Sequence, residues 1–189
     1  MWTRRLRTLL RKTAGESTET AVLWSSDAEF KPSFAVRIER MARYIDRPGR
    51  VADFGCGPMW LERLLRADNT YVPLDYIRRD ERTIVIDLNA EPIPPLHAQV
   101  AFLSGVLEYI HDVDRLVQQL EEQEFTRLIV SYNSVDRVPN TEARRELNWV
   151  NDLHLDDVLP LFVRRFALVE LDSSGPNSIM VFDRKQPHA

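Results

Sequence analysis

The chain has 189 residues, with 25 lysines and arginines against 29 aspartates and glutamates, a formal net charge of −4 and 44% hydrophobic residues. That is material for one domain with one core, and the balance of apolar and charged residues excludes a disordered, collagen-like or coiled-coil chain. A single cysteine, Cys56, excludes an internal disulfide framework and leaves zinc-finger spacings without ligands, so no metal is expected and the setting reads as reducing and cytoplasmic.

Residues 1–12 hold Arg4, Arg5, Arg7, Arg11 and Lys12 and no acid, which leaves the rest of the chain net acidic. An acidic body argues against nucleic-acid binding, which needs a clustered basic face. The arginines are not followed by the apolar run of about 7–15 residues that marks a secretory signal. Trp2, Leu6, Leu9 and Leu10 interleave with them. That is the pattern of a short amphipathic helix able to rest weakly on an anionic membrane, as a peripheral contact. A solvated terminus is the simpler reading. Residues 13–20 are small and polar, a linker, so the chain divides into a basic segment over 1–20 and a domain over 21–189.

Phe34, Ile38, Met41 and Ile45 recur at helical spacing and predict a helix over 33–46, stopped by Pro48 and Gly49. Short strand-like runs follow at 50–54, 70–75, 83–88 and 99–104, with a helix-like stretch at 59–66 after the first. A helix is predicted over 112–123, then an apolar run at 126–132 without alternation, as for a strand buried on both faces. A helix over 155–162 precedes two last runs, 165–171 and 178–182, joined by turn formers at 172–177, which predicts an antiparallel hairpin. Strands alternating with helices predict an α/β domain with a mostly parallel sheet. The connections at 76–82 and 89–98 are too brief for full crossover helices.

The clearest motif is Val51-Ala-Asp-Phe-Gly-Cys-Gly-Pro-Met-Trp60. A strand runs into Asp53, then a turn whose glycines, Gly55 and Gly57, let the backbone fold tightly and a ligand approach it. A plain structural turn is the competing reading. A dinucleotide site would want a third glycine at position 60, which is Trp, and a pyrophosphate sits badly beside Asp53. A cationic ligand with an amino-acid group suits that carboxylate. Asp75 and Asp87 then end the second and third strand-like runs, at the open edge of the sheet where α/β proteins bind ligands. Each alone reads as a turn former.

With these residues in order, the chain resembles the class I S-adenosylmethionine-dependent methyltransferases. Asp53-Phe-Gly-Cys-Gly57 matches their glycine-rich motif, Leu74-Asp75 the acidic second motif and Asp87-Leu88 the third. Phe102-Leu-Ser-Gly-Val-Leu-Glu-Tyr-Ile-His-Asp112 is similar to the segment after their fourth strand, with Tyr109 where related enzymes often carry histidine. The resemblance spans about residues 33–184. It implies a Rossmann-like three-layer sandwich with a mostly parallel seven-strand sheet and a C-terminal antiparallel hairpin. It implies S-adenosylmethionine as cofactor, with Asp53 and the Gly55–Gly57 backbone holding the methionine portion, Asp75 the ribose, Asp87 and Leu88 the adenine, and Ser104 lining the floor near the methyl. Cys56, between the glycines, reads as a small buried residue rather than a nucleophile.

The reaction so implied is methyl transfer to a small-molecule or glycan acceptor, at oxygen or nitrogen. An acceptor that keeps its proton needs a base. His111, His154, Glu108 and Asp112 are candidates, with His111 first because it follows the fourth strand and His154 its rival. The segment 132–136 should border the acceptor, residues 144–154 form a polar lid or a capped helix entry, and Trp24 and Phe30 cover the cofactor or pack at the core edge. The alternative is a cofactor-binding regulatory or partner subunit without catalysis. A nicotinamide oxidoreductase ranks below both, because of Trp60 and Asp53.

Overall fold

The computed structural model describes residues 30–186. The basic segment, the linker and Trp24 lie outside them.

The first helix, α1 (Pro32–Ala42), starts on a proline, whose missing N–H costs nothing in a first turn. It ends four residues short of the predicted limit. Tyr44 and Ile45 donate to the carbonyls of Met41 and Ala42, tighter turns that unwind the helix while still burying Ile45. Strand β1 (Gly49–Phe54) and a 3-10 helix (Trp60–Leu64) follow, then β2 (Asn69–Asp75), β3 (Ile84–Val85) and β4 (Val100–Leu103). A single 3-10 turn (Leu107–Tyr109) leads to α2 (Val113–Glu122), whose first turn is capped by Asp112 accepting from the Arg115 amide at 2.9 Å. Then come β5 (Arg127–Tyr132), α3 (Thr141–Glu146), α4 (Leu155–Phe162), β6 (Phe166–Asp172) and β7 (Ser178–Arg184).

The seven strands form one sheet in the order β3-β2-β1-β4-β5-β7-β6. The first five are parallel to one another, and β7 is antiparallel to both β5 and β6. The predicted architecture is therefore present, hairpin included. One strand is much shorter than the run 83–88 predicts: β3 pairs only Ile84 with Leu74 and Val85 with Asp75. Thr83, just before it, accepts from the amides of Arg79 and Asp80 through its hydroxyl, and Asp87, just after it, accepts the Asn89 amide. Both ends thus turn on side-chain bonds that compete with a longer ladder. No helix separates β2 from β3 or β3 from β4, in line with the short connections.

Alternation along the strands feeds two cores. Ala52, Phe54, Leu103, Leu128 and Phe182 face α2 and α4, where Leu116, Leu120, Val158 and Phe162 meet them. Val51, Phe102, Ile129 and Val181 face the other way, under Met41 and Ile45 of the α1 segment and Leu61 of the 3-10 helix. The central strand β4 is buried along its whole length. Among the described residues no helix is long and apolar enough to cross a membrane.

Phe182 is fully buried and stacks on Phe162 with ring centroids 4.8 Å apart. Phe182→Ala is expected to cost about 3–5 kcal/mol of stability, the usual range for emptying a buried aromatic site, read as a fall in the denaturant midpoint with unchanged slope.

Candidate functional site

The sheet presents the C-terminal ends of β1, β2, β4 and β5 along one edge, and the chemically interesting side chains gather there. After β1 the chain turns through Gly55 and Gly57, with φ of +66° and +48°. Met59 also adopts a left-handed φ of 57°, a conformation that costs a non-glycine residue about 1–3 kcal/mol and is held here by its surroundings.

The turn is bound to the end of β2 through one carboxylate. Asp75 Oδ2 accepts from the Gly57 amide at 2.8 Å and from Arg79 Nε at 3.2 Å. Its Oδ1 accepts from the Ile77 amide at 3.0 Å and, at 3.5 Å, from Arg79 Nη2. Cys56, buried, points its thiol toward Asp75, and burial together with the charges of Asp53 and Asp75 pushes the thiol pKa far up. That is an inert thiol. Asp53, one strand across, is 3% exposed and accepts from the Tyr71 hydroxyl at 2.7 Å. Burial, partly offset by that hydrogen bond and reinforced by the charge of Asp75, pushes its pKa up to about 7.

Asp87 and Leu88 follow β3. The Asp87 carboxylate accepts the Asn89 amide at 2.9 Å while its own amide donates to Glu91, a compact turn beside the edge strand. Leu88 packs its side chain on the larger core.

At the end of β4, Ser104 accepts from Arg37 Nε through its hydroxyl at 2.9 Å. The Arg37 guanidinium lies over Gly105, where a Cβ would come within 2.6 Å of Nη2 at a φ of +68°, a backbone conformation that favours glycine. Glu108, 1% exposed, bridges to the end of β5, its Oε1 accepting the Asn133 amide at 2.9 Å and Nδ2 at 3.0 Å. Burial raises the Glu108 pKa, with Arg37 opposing it. His111 is exposed and donates its backbone amide to Asn89 Oδ1 at 2.9 Å.

Beyond β5 a buried arginine organises the chain. Arg144, with no exposed side-chain surface, donates to Asp152 at 2.8 Å, to the carbonyls of Asn133 and Asn151 at 2.8 Å each, and to the Tyr132 hydroxyl at 3.3 Å, while its guanidinium lies over Trp149. Asn151 donates in turn to the carbonyls of Leu107 and Ile110, and the Val150 amide donates to the Glu108 carbonyl. Residues 144–153 therefore form a strap fastened to the turn after β4. They are not a free lid.

A cleft of about 760 Å³ opens beside this strap, lined by Asn133, Ser134, Asp136, Arg137, Leu155 and Ser178 among others. Arg137 holds its far wall: it donates to Ser178 Oγ and to the carbonyls of Gly175 and Ser173, fixing the β6–β7 turn. Asp136 accepts from the Leu155 amide at 2.8 Å and pairs with His154 Nδ1 at 2.6 Å. The histidine beside it and the amide hold the Asp136 carboxyl down at about 2, and Asp136 raises the His154 pKa. Among the described residues no cluster of three or more His, Cys, Asp or Glu could hold a metal ion.

The structure thus brings together Asp53, Gly55, Cys56, Gly57 and Asp75 at the ends of β1 and β2, Asp87 and Leu88 after β3, and Ser104 at the end of β4. His154 stands apart from them beside the cleft, and His111 on the loop before α2. Sequence reasoning passed over Arg37, Arg79 and Arg144. Arg79 alone carries a local signal, standing four residues after a strand-end acid.

Against known proteins, no family model and no curated protein matches the chain. Solved structures do. The 1,6-didemethyltoxoflavin-N1-methyltransferase of Burkholderia thailandensis, solved with 1,6-didemethyltoxoflavin and S-adenosylhomocysteine bound, superposes with a TM-score of 0.62 at 12% identity, over 97% of this chain and 90% of that one. The N-methyltransferase NodS of Bradyrhizobium japonicum, in complex with S-adenosylhomocysteine, gives 0.66 at 11% identity, over 90% and 99%. The N,N-8-amino-8-demethyl-D-riboflavin dimethyltransferase RosA of Streptomyces davawensis gives 0.61 at 18%, over 85% and 56%. The protein has the fold of the class I S-adenosylmethionine-dependent methyltransferases.

Two outcomes test this geometry. A carboxyl raised toward 7 binds its proton more tightly folded than unfolded, so it adds stability at low pH that is lost as pH rises from its ordinary 3.8 through about 7. Asp53→Asn is therefore expected to stabilise the protein at pH 8 and to change little at pH 4, by thermal unfolding at both. Arg144→Ala leaves two buried carbonyls without donors, each worth about 1–3 kcal/mol. It should lower unfolding stability accordingly, and Arg144→Lys should recover little of the loss, because an ammonium does not span the fork of the guanidinium.

Proposed function

We propose that the protein binds S-adenosylmethionine at the ends of β1 and β2 and transfers its methyl group to a small polar acceptor in the cleft. The observation that carries this is the meeting, at one edge of this fold, of the Gly55–Gly57 turn with the Asp75 carboxylate, with a cleft of the volume that small ligands use farther along the sheet, beyond β5.

The residues present fit the cofactor. The left-handed glycine turn gives close backbone approach, and Asp53 and Asp75 place two carboxylates near a ligand that carries an amino group and a sulfonium. Asp75 is the ribose acceptor, Asp87 and Leu88 flank the adenine, and Cys56 and Ser104 line the remainder. When bound, the cofactor supplies an electrophilic methyl on sulfur. The chain's own residues do the rest: they position the acceptor, exclude water and receive its proton.

For the proton, His154 is preferred to His111. Asp136, which lines the cleft, holds the His154 ring through Nδ1 and leaves Nε2 for the acceptor. Neither histidine lines the cleft itself, but His154 touches the lining residue Asp136 and His111 touches none of the lining. The mixed lining, with Asn133, Ser134, Asp136 and Ser178 beside Val138, Leu155 and Pro176, suits a small molecule or glycan carrying hydroxyl or amino groups, and Arg137, already bonded to the hairpin, offers an anion little.

Calorimetry with S-adenosylhomocysteine, followed by transfer of labelled methyl from S-adenosylmethionine to a metabolite panel, tests the reading. The wild type should bind, and Asp75→Ala should bind at least about tenfold more weakly, since a hydrogen bond to a charged group contributes about 1.5–3 kcal/mol. Binding without transfer to any acceptor would favour a partner subunit. Once an acceptor is known, His154→Ala should slow transfer by about 10²–10⁴, and Asp136→Asn should lower the His154 pKa measured by NMR titration.

A further inference from the structure

The groups assigned to the cofactor are already engaged by the chain itself. A carboxylate offers about four acceptor positions, and those of Asp75 are taken by the amides of Gly57 and Ile77 and by Nε and Nη2 of Arg79, with the Cys56 thiol a further, weak donor at 3.9 Å. The Asp75 and Arg79 side chains are only 8% and 10% exposed. A ribose hydroxyl has no position on this carboxylate while Arg79 remains there.

The glycine turn is covered as well. A Cβ built on Gly57 would lie 2.6 Å from Cε1 of Phe30, so the Phe30 ring rests directly on the backbone that a ligand would approach. The two covering side chains touch each other. The Arg79 guanidinium lies 5.3 Å from the centroid of the Phe30 ring, which meets Trp60 edge-on at 6.2 Å. Ion pair, cation–π contact and aromatic edge make one stacked unit over the turn and the acid.

We propose that Arg79 and Phe30 form an internal plug, an autoinhibitory contact in which the guanidinium occupies the Asp75 positions that the ribose would take, so that the cofactor binds only by displacing both side chains. The proposal rests on the reading that this crevice takes S-adenosylmethionine. It follows that the measured affinity is the intrinsic affinity reduced by the fraction of molecules in which the plug is open.

The test uses the full chain and S-adenosylhomocysteine as probe, with calorimetry for affinity, stopped-flow fluorescence for association, and thermal unfolding to confirm that each variant is folded. Arg79→Ala is expected to bind at least about tenfold more tightly than wild type, as removal of a plug open in about a tenth of molecules or fewer requires. Phe30→Ala is the second variant and should shift affinity in the same direction. The observed association rate of the wild type should level off with ligand concentration, limited by opening, and that of Arg79→Ala should rise further before doing so. Equal or weaker binding by folded Arg79→Ala and Phe30→Ala, with wild-type binding intact, overturns the plug alone and makes these side chains bystanders or direct ligands. No binding by wild type or either variant overturns the cofactor reading, and the plug with it.

Discussion

Asp75 is the joint on which the functional edge of the sheet turns. Its carboxylate fastens the turn after β1 to the loop after β2 by taking the Gly57 and Ile77 amides, and it anchors Arg79. A carboxylate this deeply placed is tolerable only with such partners, because an unpaired buried charge costs several kcal/mol. The same residue therefore joins the ends of β1 and β2, and under the proposed function it is also the ribose acceptor. Asp53, the neighbouring acid, feels the consequence: burial and the nearby charge of Asp75 lift its pKa to about 7.

Moving along the edge, the strand ends are tied in sequence. Arg37 reaches from α1 to Ser104 at the end of β4, Glu108 bridges from there to Asn133 after β5, and Arg144 gathers Asn133, Tyr132 and Asn151 into the strap beside the cleft. Each tie is an ionisable side chain taking backbone, hydroxyl or amide partners, bonds that are directional. Such ties hold the strand ends and the cleft beyond β5 on one rigid frame, as alignment of two reactants would require under the proposed function.

Much of this frame was legible in the sequence, for physical reasons. The runs ending at Phe54 and Tyr132 are apolar because their strands are buried on both sides, and a turn with two glycines followed by two acids at later strand ends marked the open edge. What escaped was what tertiary contact decides. The run at 83–88 is apolar enough for a strand, yet β3 shrinks to two residues because Thr83 and Asp87 bend the chain by local bonds. Helix α3 is polar and carries no hydrophobic stripe; the Asn140 side chain, accepting from the Ala143 amide, starts it. Arg37 and Arg144 read in the sequence as solvated charges, since a buried arginine differs from an exposed one mainly in tertiary partners, whereas Arg79 stood four residues after Asp75 and carried a local signal. Segment 144–154 looked equally like a lid and a capped entry; the bonds of Asn151 and Val150 to the turn after β4 make it a strap.

The claim on which the account depends is that the glycine turn and Asp75 together form the cofactor site. Amide NMR of the isotope-labelled protein during titration with S-adenosylhomocysteine addresses it directly. The account predicts saturable shifts at the amides of Gly55, Gly57 and Ile77, the last because it donates to the carboxylate that the ribose would engage. Saturating ligand that leaves these three resonances in place, whether or not others move, would contradict it.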